Sequence, residues 1–191
     1  VDEDGVLPFI GDPNPDFVMN YTNTFEYKGL SLGFAINHTS GGDIYSTTTA
    51  TLMGRGLTTD TENRLSTYIL PGININTGLP NDVQINNSNF YFDNGFASPA
   101  DELSVYDGSV VRLREVNIAY SLPSKLLNKT PFGKVTIKAS AFNMWYNAYN
   151  TPDGVNFDPN TTGLGAGNGQ GFEFLTGPSS KRYGMSVNLS F

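Results

Sequence analysis

Residues Lys181–Phe191 constrain this chain more than any other stretch. Their odd positions, Tyr183, Met185, Val187, Leu189 and Phe191, are all apolar, and their even positions, Arg182, Gly184, Ser186, Asn188 and Ser190, are small or polar. A period of two held this long makes a β-strand with one apolar face and one wet face. Such a strand rises about 3.3 Å per residue, and a tilted run of roughly 9–11 residues spans a hydrocarbon layer. The last strand of a soluble β-sandwich carries the same alternation, so the rest of the chain decides between the two.

Composition narrows the choice. Only 15% of the 191 residues are charged, against about 25% in ordinary soluble domains. Aromatic residues make up 13%, with 13 Phe and 10 Tyr. The net charge of −7 argues against nucleic-acid binding, which needs a basic face. With no Cys there are no disulfides or thiolate metal sites. His38 is the single histidine, so no Ser-His-Asp grouping can be argued, and the chain is read as a non-enzyme. No run approaches the roughly 18 apolar residues of a membrane helix. The mean hydropathy of −0.26 suits a transmembrane barrel, whose strands alternate. The chain opens on Val1 and is read as a processed product or a fragment.

Alternation recurs, and the pattern predicts an all-β chain with strands at about 17–28, 29–38, 109–121, 133–145 and 181–191. Lys28-Gly29 makes a tight turn between the first two. The apolar phase flips at Arg114-Glu115, which predicts a β-bulge there. Thr47–Met53 reads as a short helix, and 121–133 as a compact connection with one helical turn. Residues 1–16, 39–108 and 146–180 read as long loops rich in Gly, Asn, Asp and Pro. Short and long connections therefore alternate strictly, as they do in outer-membrane barrels, whose periplasmic turns are tight and whose outer loops are long. On that reading the three loops are extracellular and Phe191 sits at the periplasmic rim. Five strands are too few for a closed barrel, and an open sheet leaves its edges unpaired in lipid. The chain is expected to be the C-terminal part of a larger barrel whose remaining strands come from another chain.

Three stretches carry a family resemblance. Val110–Pro123 (VVRLREVNIAYSLP) resembles a strand of the SusC/RagA-type TonB-dependent transporters of Bacteroidota. Lys134–Asn143 with the aromatic residues after it is similar to that family's next strand, and Pro178–Phe191 to its closing strand. Upstream, Gly11–Phe17, Phe25–Leu32 and Gly41–Tyr45 also match its pattern. The resemblance implies a barrel of about 22 strands, an N-terminal plug, a TonB box and a SusD-like lipoprotein lid. It implies TonB-driven import of oligosaccharides or, alternatively, peptides. Neither plug nor TonB box occurs in this sequence, so the N-terminal barrel, the plug and the contact with TonB are expected from a separate chain, produced by a nick in an exposed loop. The resemblance also makes Phe191 an outer-membrane assembly signal. The alternative from another class is a non-transporting surface β protein, an adhesin or carbohydrate-binding module.

Aromatic faces stack on sugar rings while Asn and Asp bond the hydroxyls. That mixture points to Phe90, Tyr91, Phe92, Asp93, Asn94, Tyr106, Asp107, Trp145, Tyr146 and Tyr149 as substrate contacts. Arg112, Arg114 and Lys138 are expected to face the lumen, lining the solute path or pairing with plug carboxylates. Asp153 and Asp158 could offer oxygens to Ca²⁺, the only cofactor considered, but lack the regular spacing of an EF-hand, and solvated turns are the simpler reading. The same pair does not support glycosidase chemistry, because no strand fixes its spacing. The glycine-rich stretch 163–171 leads into no helix and is not a phosphate loop.

Overall fold

The computed structural model describes residues 9–93, 104–152, 154–155, 157–161, 167 and 169–191. Its strands are β1 (Pro15–Tyr27), β2 (Leu30–Gly41), β3 (Asp43–Ser46), β4 (Thr67–Ile69), β5 (Gln84–Asn86), β6 (Val105–Asp107), β7 (Val110–Ser121), β8 (Lys134–Asn147), β9 (Phe172–Glu173) and β10 (Arg182–Ser190). Two short helices, α1 (Thr47–Gly54) and α2 (Ser124–Leu127), accompany them. The chain divides into two compact units: a sheet unit of Pro15–Gly41, Ser109–Tyr149 and Pro178–Phe191, and a loop unit made of the remaining segments.

The sheet unit is one five-stranded sheet in the order β1-β2-β7-β8-β10, antiparallel at every pairing. Register carries the apolar phase from strand to strand. Phe25 lies opposite Leu32, Leu32 opposite Ile118, Ile118 opposite Ala139 and Ala139 opposite Met185. The other face runs through Ser31, Ala119, Lys138 and Ser186 in the same way. The apolar face is open: Phe25 is 57% exposed, Met185 81% and Val187 58%. Asn23 is the one polar member of that face on β1, and its side chain donates to Tyr21 Oη on the same face at 3.0 Å.

The expected bulge is present. Ala35 and Ile36 pair with Glu115 and Leu113, which leaves Arg114 as the extra residue. Against β7 the same level absorbs another residue: Glu115 pairs with Phe142 and Leu113 with Trp145. Asn143 adopts φ 53° within that step, and Asn tolerates the left-handed region through its short polar side chain. At the hairpin, Lys28 and Gly29 have φ 48° and 85°, the paired left-handed residues of a type I′ turn. A Cβ at Gly29 would lie 2.8 Å from the Ser121 carbonyl oxygen, so the position excludes a side chain on two counts. The second tight connection carries α2, with Leu127 buried, and Phe132 packs on Phe191 with ring centroids 5.2 Å apart.

The loop unit departs from expectation. Residues 39–108 and 146–180 are not loops throughout. β2 runs on to Gly41 and β8 to Asn147, which moves Tyr146 and Asn147 into a strand. β6, β3 and β9 form a three-stranded sheet, with β3 and β9 parallel, and β4 pairs with β5. Helix α1 covers the predicted helix, its N-cap Ser46 accepting from the Thr49 N–H at 3.1 Å. Ile44, Val155 and Phe157 form the unit's small apolar core, with Leu52 packed against it.

Candidate functional site

The candidate substrate contacts separate into three settings. Phe90 and Tyr91 lie in a π turn at Asn89–Asp93 of the loop unit, with rings 4.9 Å apart, and Tyr68 packs 6.2 Å from Phe90. Phe92 and Asp93 belong to the same turn, but their side chains are outside the described set, and Asn94 lies outside the described residues altogether. Tyr91 lines a cavity of about 210 Å³ together with Arg55, Arg64 and Met53. Burial pushes the Tyr91 phenol above its ordinary value, and the charges of Asp60 and Tyr68 add to the shift. Tyr106, on β6, donates to Met53 Sδ at 3.5 Å, and burial raises its phenol far above the usual range. Tyr106 is therefore held by packing rather than presented as an open ring. Asp107 Oδ2 accepts from Asn150 Nδ2 at 2.7 Å.

The second setting is the apolar face of the sheet. Register puts Trp145 across from Leu113, so the Trp145 ring stands on the exposed apolar face, 52% accessible. Tyr149 Oη lies 3.0 Å from His38 Nε2, and Phe17 meets His38 edge-on at 5.3 Å. These side chains form an aromatic patch at one end of that face.

The third setting is the polar face. Tyr146 pairs across from Arg112, whose guanidinium carbon lies 5.6 Å from the ring centroid. Lys138 sits opposite Ala119 and Ser186 on this face. The bulged Arg114 shares a hollow of about 380 Å³ with Glu115 and Arg182, and Arg182 stacks over Phe142 at 5.4 Å.

Asp158 is buried, and its Oδ1 accepts the Asn160 N–H at 3.1 Å, a turn bond within its own loop. Asp153 lies outside the described residues. Among the described residues no three His, Cys, Asp or Glu side chains gather as a metal site.

Sequence reasoning missed Glu173. Its carboxylate is fully buried and receives Ser46 Oγ, the Thr48 N–H, Thr48 Oγ1 and Thr176 Oγ1 at 2.6–3.1 Å. Burial alone would raise its pKa, but the hydrogen bonds from Thr176 and Thr48 outweigh burial and hold it below the ordinary glutamate value. It also missed the ring cluster of Tyr45, Phe172 and Phe174, whose centroids lie 5.8–6.0 Å apart.

No family model matches the chain. It is 26% identical over 183 residues to TonB-dependent receptor P3 of Formosa agariphila, covering 95% of this chain and 17% of that protein. Against TonB-dependent receptor P26 of the same organism it is 24% identical over 187 residues, covering 95% and 18%. Along nearly its whole length the chain is similar to TonB-dependent receptors. It spans less than a fifth of the length of those two relatives. Among solved structures it resembles the RagAB peptide importer in its closed-closed state, with TM-score 0.59 and 17% identity over 96% of this chain and 18% of that one. A second RagAB peptide transporter structure gives TM-score 0.57 at 18% identity, over 93% and 17%. The five-stranded sheet thus has the fold of part of a transporter β-barrel, as the strand pattern predicted. That fold also accounts for the open apolar face, since an outer-membrane barrel turns its apolar residues outward to lipid. Trp145, Tyr149 and Phe17 then match the aromatic girdle that borders such a band.

Proposed function

We propose that this chain forms part of an outer-membrane importer of oligosaccharides, driven through TonB. The observation that carries the proposal is the two-faced sheet with one-sided connections. One face is continuous and apolar, and the other holds Arg112, Lys138 and Arg182. The long connections leave from the Gly41, Val110, Asn147 and Arg182 ends, while the Lys28-Gly29 turn, α2 and Phe191 share the opposite end. In this reading the polar face lines the lumen, the long connections are extracellular, and Phe191 marks the periplasmic rim for assembly. The remaining strands, the plug that reaches TonB and a SusD-like lipoprotein lid complete the importer.

Oligosaccharides suit the loop unit because its rings stand among hydroxyl and amide side chains, as with Tyr91 beside Asn87, Ser88 and Thr61. Peptides are the second reading, favoured by the likeness to RagAB, which is named a peptide importer. Growth of a strain carrying the full receptor on oligosaccharides or peptides as sole carbon source separates the two. TonB-dependent growth on a glycan that stops when the receptor is deleted is expected. Growth on peptides alone would transfer the assignment to the second reading, and unaltered growth on both after deletion would end the import proposal.

A further inference from the structure

Charge is distributed unevenly along the chain. The loop unit holds two basic residues against fifteen acidic ones, and the sheet unit nine against three, which together make up the chain's 11 and 18. The two basic residues of the loop unit are Arg55 and Arg64, and both line the same cavity of about 210 Å³. Buried Met53 also lines this cavity, with Tyr91 and Asn87 beside it.

Neither guanidinium is neutralised. Among the described residues no carboxylate pairs with either, although the unit is rich in them. Arg64 is anchored by one bond, Nη2 donating to the Gly56 carbonyl at 2.9 Å. Gly56 has φ 69°, and a Cβ there would stand 2.9 Å from Arg64 Nη2, so the glycine keeps room for that side chain. Arg55 follows the last residue of α1, where a cation is favourable beside the helix C-terminus. That accounts for a positive charge at 55 but not for its convergence with Arg64. Two guanidinium forks beside an apolar floor are the arrangement that receives an oxyanion through paired N–H donors.

We propose that Arg55 and Arg64 form an oxyanion subsite that takes a carboxylate- or sulfate-bearing sugar residue of the imported glycan. The proposal rests on the import reading above. Tyr91 supplies a ring against which that sugar packs, and the cavity has room for one such residue rather than for a chain. The surrounding acidic residues do not cancel the subsite, because exposed charges are screened beyond about 8 Å at physiological salt. They repel polyanions from the rest of the unit, so the contact pair selects the ligand's position. Asp60 acts on Tyr91 from close by and opposes an anion in the cavity.

The test is calorimetric titration of the full-length receptor with size-matched oligogalacturonide, sulfated galactan oligosaccharide and a neutral glucan oligosaccharide. One anionic ligand is expected to bind tighter than the neutral one by on the order of tenfold, a margin that one charge-assisted hydrogen bond supplies. Which anionic ligand does so tells carboxylate from sulfate. Arg55→Gln, at a side chain with no partner in the unit, should remove that margin and leave the neutral ligand unchanged, while Asp60→Asn should widen it. Arg64→Gln should act in the same direction as Arg55→Gln. If no anionic ligand exceeds the neutral one, or if both arginine variants keep the margin, the subsite falls and the import reading stands. If no oligosaccharide binds and peptides do, the glycan reading falls and takes the subsite with it.

Discussion

Glu173 receives Thr48 twice: one carboxylate oxygen accepts the Thr48 hydroxyl at 2.6 Å, and the other accepts the Thr48 backbone N–H at 3.0 Å. The contact closes the N-terminal turn of α1 with a negative charge, where the helix dipole favours one. It joins two segments 125 residues apart and so organises the loop unit. Replacing Glu173 with Ala strands the buried Ser46 donor and the part-buried Thr48 donors, a loss of about 3 kcal/mol for hydrogen bonds to a charged group. Glu173→Gln keeps the shape but loses an acceptor and should cost less. Hydrogen exchange across 43–54 in the full receptor measures both, and unchanged protection in the Ala variant would remove the carboxylate from the account.

The same group predicts an acid response. Its folded pKa lies below the ordinary glutamate value, so it binds a proton less readily folded than unfolded. The stability it supplies is present above the ordinary value and is lost as pH falls through the depressed one. Proteolysis of the loop unit should therefore accelerate on acidification below the ordinary glutamate range. Glu173→Gln, already without the charge, should lack that component. Equal acid sensitivity in the two proteins would assign the response to other carboxylates.

The sheet was legible because a period of two survives in every long strand. The sequence placed β10 within a residue of its ends and put the bulge at Arg114. It could not show the loop unit, because β3 has four residues and β9 only two, too few to establish a period. β3 and β9 also meet from distant parts of the chain, so neither stretch announces its partner. Glu173 escaped for a related reason: between Phe172 and Phe174 it reads as an exposed charge, and only the pairing of Ser46 with Glu173 places it beside α1. Arg55 and Arg64 left a signal that counting finds, as the only basic residues in the long connections. Tyr146 was expected in a loop because β8 runs two residues beyond its expected end.

The two faces of β10 should respond oppositely to one substitution. Val187 pairs with Ile137 on the apolar face, and Ser186 pairs with Lys138 on the polar one. Val187→Arg puts a charge toward lipid and should cost about 2–4 kcal/mol near mid-membrane. Ser186→Arg should cost far less, since its side chain points to the wet face. Folding of the full receptor into vesicles, read by heat-modifiable mobility on gels, compares them. Equal losses would contradict the assignment of faces.

Trp145 and Tyr146 are neighbours with different prospects. Trp145 stands across from Leu113 on the apolar face, and Tyr146 lies beneath Arg112 on the polar one. An indole at the border of a lipid band buries its ring while keeping its N–H near water. Trp145→Ala should therefore weaken the barrel by about 1–2 kcal/mol, the worth of a part-buried aromatic side chain, and leave ligand affinity within about twofold, since it stands on the face opposite Arg112 and Lys138. Tyr146→Ala removes a ring from the polar face and frees Arg112 from its stacking partner, so import should fall while stability changes little. Unfolding in denaturant and uptake by whole cells are measured on both variants. If Trp145→Ala abolished uptake with stability intact, Trp145 would return to the binding surface and the register of β8 against β7 would be wrong at that level.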